Sequence, residues 1–158
     1  MLSSLPRIRV AFAIIEEQGR FLITQRQFSG SFPGLWEFPS GKVEEGEMDE
    51  AALKRELWER IGIGVAIERQ SAARSHGYET YAVDSVLYRA RILPSHSPRP
   101  LRVADFRWVT AQEIEQYAFP PGDQAAMDEL LGIGRDKRSV RQKTSGGFHL
   151  PMQQPGDP

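Results

Sequence analysis

Residues 41–63 read GKVEEGEMDEAALKRELWERIGI, and this stretch decides the fold. Within it, three apolar residues recur at every fourth position: Leu53, Leu57 and Ile61. That spacing gives a helix one apolar face. Asp49 can cap the first turn or, with Glu50, favour the positive end of the helix dipole. Gly62 is typical of the left-handed residue just past a helix end. The pattern predicts a helix over residues 49–61.

Strand patterns flank the predicted helix on both sides. Residues 8–16 and 21–26 are rich in β-branched and aromatic residues and are separated by Gln18-Gly19-Arg20, which predicts a β-hairpin. Further strands are predicted from Val65 onward, over residues 81–92 and over 106–109, with helices over 111–116 and 123–131. This order predicts an α/β/α sandwich with a central mixed β-sheet, the 49–61 helix on one face and the 123–131 helix on the other.

The composition narrows the classes of function. A chain of 158 residues, 40% hydrophobic and 26% charged, suits one domain with a continuous core. The net charge of -1 draws the protein onto neither nucleic acid nor membrane. With no cysteine, a metal must be held by oxygen or imidazole ligands. Since no membrane span or leader pattern is evident, we expect a cytoplasmic monomer or homodimer without nucleic-acid or membrane partners.

The end of the chain has a different composition. Residues 1–134 are expected to form the domain, whereas residues 135–158 are basic and then rich in Gly, Gln and Pro. We expect a flexible tail there, with an arm that binds polyphosphate or nucleic acid as the alternative.

Eight positions within residues 41–63 share their spacing with a known motif. They are Gly41, Glu47, Arg55, Glu56, Leu57, Glu59, Gly62 and Ile63. The arrangement resembles the Nudix box, which differs here only at Arg60, where the motif has a second Glu. The adjoining stretches LITQR, GLWEFPSGKVEEGE and FRWVTAQEIEQYAFPPGD look like the mutator-type (MutT-like) nucleotide pyrophosphohydrolases. The resemblance covers residues 7–131 and implies the Nudix fold, with its loop-helix-loop catalytic motif.

The acidic residues of the predicted helix suggest a metal site. Residues three and four apart stand above one another on a helix, so Glu56, Glu59 and position 60 share one edge. Carboxylate oxygens are ligands that Mg²⁺ prefers. The resemblance implies that Glu56 and Glu59 bind Mg²⁺, or alternatively Mn²⁺, with the backbone carbonyl of Ser40, and that Arg55 holds the catalytic carboxylates. Ser40 stands where the family commonly has Gly, so a positive φ there would be strained. Without the motif, a solvated helix face would be the usual interpretation.

Four further residues are candidate contacts to the nucleotide: Arg26, Phe38, Lys42 and Asp123. The resemblance implies that Phe38 stacks on the base and that Arg26 lies against the nucleotide, although either could equally belong to the core or the strand surface. Lys42 would lie near the phosphates or face solvent. Asp123 would read the base edge, cap a helix, or do both. An ionised carboxylate only accepts hydrogen bonds, so it would face donors such as the exocyclic amines of oxidised guanine or cytosine.

Two arginines stand where the family commonly has acids: Arg60, and Arg102 six residues before Trp108. A cation at position 60 weakens Mg²⁺ binding, and Asp105 or Asp84 could replace the second acid if the register differs. Two hypotheses follow. The first is a Mg²⁺-dependent hydrolase that cleaves a nucleoside triphosphate, with an oxidised purine or a pyrimidine base, to the monophosphate and pyrophosphate. The second is a catalytically weakened Nudix-fold module that binds nucleotides or regulates.

Overall fold

A long first strand organises the fold, and the other elements assemble on it. The computed structural model describes residues 5–123 and Met127. The elements in chain order are β1 (Arg7–Glu17), β2 (Arg20–Gln25), β3 (Trp36–Glu37), β4 (Ser40–Lys42), α1 (Asp49–Ile61), β5 (Val65–Gly77), β6 (Ala82–Ile92) and β7 (Asp105–Val109). Two short 3₁₀ helices follow, Glu113–Gln116 and Pro121–Asp123.

The strands form one mixed sheet. Its main path runs β3-β2-β1-β6-β5, with β4 paired to β1 and β7 paired to β2. β1 runs parallel to β6, whereas the other paired strands are antiparallel. A parallel pair needs a long crossover, which here consists of the elements from β2 to β5 and includes α1. The predicted α/β fold with a mixed sheet is confirmed.

The predicted hairpin between β1 and β2 is also confirmed. Glu17 pairs with Arg20, which leaves Gln18 and Gly19 as a two-residue turn. Both have positive φ, 51° and 75°, as a turn of the I′ type requires. Glycine adopts a positive φ without strain, which is why Gly19 indicates a turn at this position.

Side chains alternate along β1, which is buried on both faces. One face shares a cluster with the apolar face of α1; its members from these two elements are Ala11, Ala13, Ile15, Leu53, Leu57 and Ile61. The other face contributes to a second cluster: Phe12, Ile14, Phe21, Ile23, Phe38, Leu87, Val109 and Ile114. The predicted apolar face of the helix is therefore the one that covers the sheet.

The start of α1 is tied to the sheet by a side chain expected to cap it. The helix spans Asp49–Ile61 as predicted, but Met48 occupies the N-cap position and makes no side-chain capping bond. The carboxylate of Asp49 instead accepts hydrogen bonds from Nε of Arg9 at 2.6 Å and from the hydroxyl of Tyr88 at 2.7 Å. The capping prediction for Asp49 is wrong because a charged donor on β1 binds this carboxylate more strongly than a backbone N–H. Its place in the first turn still suits the helix dipole.

The elements after β6 match the prediction in part. Residues 106–109 lie in β7, while the helix predicted over 111–116 is a 3₁₀ helix, Glu113–Gln116. The helix predicted over 123–131 and the tail at 135–158 lie outside the described residues, apart from Asp123 and Met127. Met127 is helical and packs against the second cluster, on the face of the sheet away from α1. In the described part of the chain, no helix has the length and apolar character needed to cross a membrane.

β4 approaches α1 closely at a single residue. A Cβ atom on Gly41 would overlap Cβ and Cγ of Glu56 and lie 2.8 Å from its Cδ. Only glycine fits without moving the helix or the glutamate, both of which are buried at this point. The first glycine of the motif is thus required by packing.

We expect Gly41→Ala to lower the free energy of unfolding by about 1–3 kcal/mol, the range for overpacking a filled interior. Urea denaturation followed by tryptophan fluorescence measures this. Gly64→Ala is the matched control, because its Cβ would meet only the ends of Leu93 and His96, and Leu93 is 36% exposed. Equal losses in the two variants would show that the contact with Glu56 is not tight.

Candidate active site

Glu56 and Glu59 form the acidic edge of α1, which faces β4. Glu56 lies against Gly41, and its side chain is 12% exposed, whereas the side chain of Glu59 is 40% exposed. Arg55 reaches both: its NH1 donates to Oε1 of Glu56 at 3.0 Å and lies 3.7 Å from Oε2 of Glu59. The helix therefore presents one carboxylate withdrawn from solvent and one at its boundary.

Arg55 is the centre of these ion pairs. Its Nε and NH2 each lie 3.0 Å from a different carboxylate oxygen of Glu47, which gives a two-pronged pair. Glu47 also accepts a hydrogen bond from the backbone N–H of Glu44 at 3.0 Å, so the loop before α1 is fastened to the helix. Glu47, and then Glu56, raise the pKa of the Arg55 guanidinium above its ordinary value, which keeps it charged. Arg55 can therefore hold the carboxylates of Glu47 and Glu56 in fixed orientations.

Arg60 and Arg102, which stand where the family commonly has acids, each contact a glutamate of the candidate site. Nε of Arg60 donates to Oε2 of Glu56 at 2.7 Å, and its NH1 lies 3.9 Å from Oε1 of Glu37. NH1 of Arg102 lies 3.7 Å from Oε2 of Glu59, and the Arg102 side chain is 69% exposed. The acidic edge is thus neutralised where the family motif has further negative charge.

The position of Arg102 follows from how α1 ends. Gly62 takes a φ of 69° and stops the helix, as predicted. The carbonyl of Ile61 then accepts the N–H of Arg99, and the carbonyl of Arg60 accepts the N–H groups of residues 101 and 102. The loop before β7 therefore satisfies carbonyls that a helix end leaves without partners. That contact brings Arg102 to the acidic edge.

The two acids that could have replaced the one missing at position 102 lie elsewhere. Asp84 accepts hydrogen bonds from Arg7 and Ser75, which, with the Arg7 bond first, lower the pKa of its carboxyl to about 2. Asp105 pairs with Arg107 at 3.1 Å and accepts the N–H that follows it. Among the contacts of the described residues, neither acid reaches Glu56 or Glu59.

The oxygen donors suit a hard divalent cation on one condition. Ser40 is 6% exposed and is not among the non-glycine residues with positive φ, so serine is unstrained there. Its carbonyl and the carboxylates of Glu56 and Glu59 are ligands of the kind Mg²⁺ takes. Within the described residues, no three or more His, Cys, Asp or Glu side chains gather to hold a metal. The donors therefore fit the ion with water completing its shell, provided that Arg60 leaves Glu56.

The expected nucleotide contacts differ in exposure. Lys42 is exposed and Arg26 partly exposed, whereas Phe38 and Asp123 are buried. Arg26 donates from NH1 to Oε2 of Glu37 at 3.0 Å and from Nε to the carbonyl of Ser31 at 2.8 Å. Lys42 is exposed on β4. Phe38 has no exposed surface and packs edge-on against Phe119 with ring centroids 5.5 Å apart. The core alternative describes Phe38 in this structure, and a base could reach the ring only after this packing opened.

Asp123 contacts the backbone of Phe38. It is 3% exposed, and its Oδ2 accepts the backbone N–H of Phe38 at 3.2 Å. Burial and then the charge of Glu37 raise the pKa of its carboxyl well above the ordinary value, against smaller opposing effects of that hydrogen bond and of Arg26. The protonated form of Asp123, which can donate as well as accept a hydrogen bond, therefore persists to higher pH than that of an exposed aspartate.

Comparison with known proteins identifies the family. The sequence model of the NUDIX domain matches residues 10–129. The chain belongs to the Nudix family. It is 32% identical over 138 residues to the CTP pyrophosphohydrolase of Escherichia coli (strain K12), which covers 80% of this chain and 93% of that protein. It is 34% identical over 126 residues to the 8-oxo-dGTP diphosphatase of Haemophilus influenzae, covering 78% and 91%.

A solved structure agrees with this assignment. The solution structure of the Escherichia coli ORF135 protein has a TM-score of 0.66 and 29% identity, covering 89% of this chain and 97% of that one. The Nudix chain is accordingly a hydrolase of phosphoric anhydride bonds. Nudix hydrolases generally need a divalent metal, for which the acidic edge of α1 supplies oxygen donors.

Glu37 lies between residues of the candidate site although no sequence pattern singled it out. Glu37 is 4% exposed on β3 and contacts both Arg26 and Arg60. A signal was present, since Glu37 is the only charged residue in the stretch from Gly34 to Gly41. An acid within an apolar strand is buried only with partners, and those partners are Arg26, directly after β2, and Arg60 on α1.

The pKa of Asp123 predicts a pH-dependent stability. A carboxyl whose pKa is raised on folding destabilises the folded state increasingly as pH rises from 3.8 towards the folded pKa. Asp123→Asn removes the charge but keeps an oxygen for the Phe38 N–H. We expect the variant to gain stability over the parent as pH rises, by at most about 1.4 kcal/mol per pH unit. Denaturant titrations from acidic to neutral pH measure this, with Asp105→Asn, 40% exposed, as the control. A constant difference across that range would refute it.

Proposed function

We propose that the chain hydrolyses a nucleoside triphosphate to the monophosphate and pyrophosphate, using Mg²⁺ held at Ser40, Glu56 and Glu59. The observation that carries the proposal is the placement of the acidic edge of α1. Glu56 is held by Arg55 beside Gly41 of β4, and Arg60 links it to the ion pair of buried Glu37 with partly exposed Arg26. A polyphosphate at the edge would extend its nucleoside towards that pair.

The base is proposed to be an oxidised purine or a pyrimidine. The relatives reported above are named for CTP and for 8-oxo-dGTP, whose bases both carry an exocyclic amine. Glu37 offers a carboxylate to such donors, and Asp123 in its protonated form offers both a donor and an acceptor. This mixed set suits the amide or imine edge of either base.

The reaction proposed is attack of water on a phosphorus atom of the anhydride. The water oxygen forms a new P–O bond to one of the two phosphorus atoms of the α–β bridge, and the bond from that phosphorus to the bridging oxygen breaks. The bridging oxygen leaves with the other product, so that monophosphate and pyrophosphate are formed and the water proton is released. When bound, the cation neutralises phosphate oxygens and polarises water. Arg55 keeps Glu56 and Glu59 in a fixed orientation, and Lys42 and Arg102 at the open side offer positive charge to the polyphosphate.

A second candidate function is nucleotide binding with little turnover. It is favoured by the 2.7 Å pair between Arg60 and Glu56, together with Arg102 at 3.7 Å from Glu59. Both cations compete with a metal for the two carboxylates. Which function the chain performs depends on how readily Arg60 gives up Glu56.

A nucleotide panel distinguishes the two candidates. CTP, dCTP, 8-oxo-dGTP and dGTP are incubated with the protein, with and without Mg²⁺ or Mn²⁺, and pyrophosphate and monophosphate are measured. The hydrolase yields both products in equal amounts, only with metal, from one class of base. Saturable nucleotide binding without product in any condition would establish the second candidate instead.

We expect Glu56→Gln to reduce turnover of the best substrate at least about tenfold, the effect of losing roughly 1.4 kcal/mol of barrier stabilisation. The reason is the loss of a charged ligand at the buried end of the site. Initial rates at saturating nucleotide and metal measure this, with circular dichroism to confirm folding. Glu50→Gln, on the exposed first turn of the same helix, is the control. Turnover within about twofold of the parent would remove Glu56 from its assigned role.

Arg60→Glu should lower the Mg²⁺ concentration that gives half-maximal rate, and raise the rate at low Mg²⁺. The guanidinium competes with the cation for Glu56, whereas a glutamate adds a possible ligand. Rates across a Mg²⁺ titration test the direction. Arg91→Glu makes the same charge change on an exposed part of β6 and controls for net charge. An unchanged or higher Mg²⁺ requirement would mean that Arg60 serves the substrate phosphates.

A further inference from the structure

Arg60 lies between two carboxylates that belong to different parts of the site. Its Nε donates to Oε2 of Glu56 on α1 at 2.7 Å, while its NH1 lies 3.9 Å from Oε1 of Glu37 on β3. Both carboxylate side chains are mostly buried, at 12% and 6% exposed. One guanidinium therefore lies between the acidic edge of α1 and the ion pair of Glu37 with Arg26.

The two oxygens of Glu37 differ in how they are held. Oε2 accepts a hydrogen bond from NH1 of Arg26 at 3.0 Å, whereas Oε1 faces Arg60 from beyond hydrogen-bond distance. A buried carboxylate is stabilised by further donors because water hardly reaches it. Oε1 of Glu37 is thus an acceptor to which Arg60 can move.

We propose that Arg60 is a movable counter-charge that leaves Glu56 for Glu37 when a divalent cation binds at Glu56, and thereby couples the metal site to the ion pair of Glu37 and Arg26. The inference rests on the proposed metal-dependent function. It assigns Arg60 and Glu37 as positioning residues, since neither is a ligand of the cation.

The physical cause of the exchange is repulsion between like charges. A guanidinium bound to Oε2 of Glu56 and a cation bound to the same carboxylate repel each other strongly where water is scarce. Arg60 needs to move NH1 by only about 1 Å to bring it within hydrogen-bond distance of Glu37. The Arg60 side chain is 35% exposed and lines a small cavity together with Ser40 and Thr24, so its guanidinium is not enclosed by packed atoms on every side.

The exchange makes Glu37 a determinant of metal affinity although it does not touch the metal. Without the carboxylate at position 37, Arg60 loses the second acid that it contacts in the described part of the chain and competes harder for Glu56. Arg102 provides the comparison, because it contacts Glu59 and is joined to Glu37 by none of the described ion pairs.

The test is a double-mutant cycle on Mn²⁺ affinity without nucleotide. Dissociation constants are measured by electron paramagnetic resonance for the parent, Glu37→Gln, Arg60→Gln and the double variant. We expect Glu37→Gln to weaken Mn²⁺ binding about fivefold in the parent and by less than about twofold when Arg60 is already Gln. Arg60→Gln alone should tighten binding, because the competitor is gone.

The same cycle with Arg102→Gln in place of Arg60→Gln is the matched control. Each removes an arginine from a candidate metal glutamate, but only Arg60 also contacts Glu37. Glu37→Gln should therefore still weaken Mn²⁺ binding about fivefold in the Arg102→Gln background. Any effect of leaving Arg26 without its carboxylate is common to all backgrounds and cancels.

A measurement on the unaltered protein does not depend on the variants folding. In ¹⁵N-edited spectra of arginine side chains, Mg²⁺ should shift the Nε resonance of Arg60 strongly and that of exposed Arg91 little. Equal weakening by Glu37→Gln with and without Arg60 would mean a general charge effect and overturn the exchange. So would an Arg60 resonance that stays unshifted while Mg²⁺ binds, or a parent that binds no divalent cation. Hydrolysis of the nucleotide panel is measured separately, so a chain that cleaves nucleotides without this coupling keeps its proposed function and loses only the exchange.

Discussion

The close contact between the backbone of Gly41 and the side chain of Glu56 is the constraint on which the site depends. It exists because β4 pairs with β1 while α1 packs on the same sheet, so strand, loop and helix are positioned together. The contact withdraws one carboxylate from solvent, and the Glu56 side chain is 12% exposed. Charges interact strongly in such a place, which favours cation binding but also requires a counter-charge whenever the cation is absent. Arg55 and Arg60 both supply that counter-charge in this chain.

The balance of charge around this contact distinguishes the chain from the motif it otherwise follows. Four acids, Glu37, Glu47, Glu56 and Glu59, face four arginines, Arg26, Arg55, Arg60 and Arg102. With acids at positions 60 and 102, as the family commonly has, the same network would be strongly negative. Such a network attracts free cations, whereas a balanced one attracts a free cation less and repels a polyphosphate less. The two arginines thus shift the electrostatics of the site from the metal towards the nucleotide.

Two buried acids, Glu37 and Asp123, lie close to Phe38. Buried carboxylates destabilise the fold unless they have partners or become neutral. Glu37 is paired with Arg26, just after β2, and with Arg60 on α1, whereas burial raises the pKa of the Asp123 carboxyl and so disfavours its charged form. Both groups are nearly closed to water and lie next to the fully buried ring of Phe38. Hydrogen bonds made there to a nucleotide would be stronger than the same bonds at the surface, and a mismatched partner would leave a buried group unsatisfied. In the proposed nucleotide site, selectivity among bases would therefore depend more on these two acids than on exposed Lys42.

Local patterns in the sequence determined the bounds of α1, the hairpin and its turn, most strands and the grouping of Glu56, Glu59 and Arg60 on one edge. The role of Arg55 came only from the family resemblance. The features that local patterns determine depend on residues within a few positions of one another, where helical and strand periodicity act directly. The tertiary structure alone decided that Asp49 binds Arg9 instead of capping, that Phe38 belongs to the core, and that Glu37 joins Arg26 to Arg60. Each of these depends on an element distant in sequence, and sheet pairing and helix packing set those distances. Periodicity reports which face a residue occupies, but which charge stands opposite it follows only when the chain has folded.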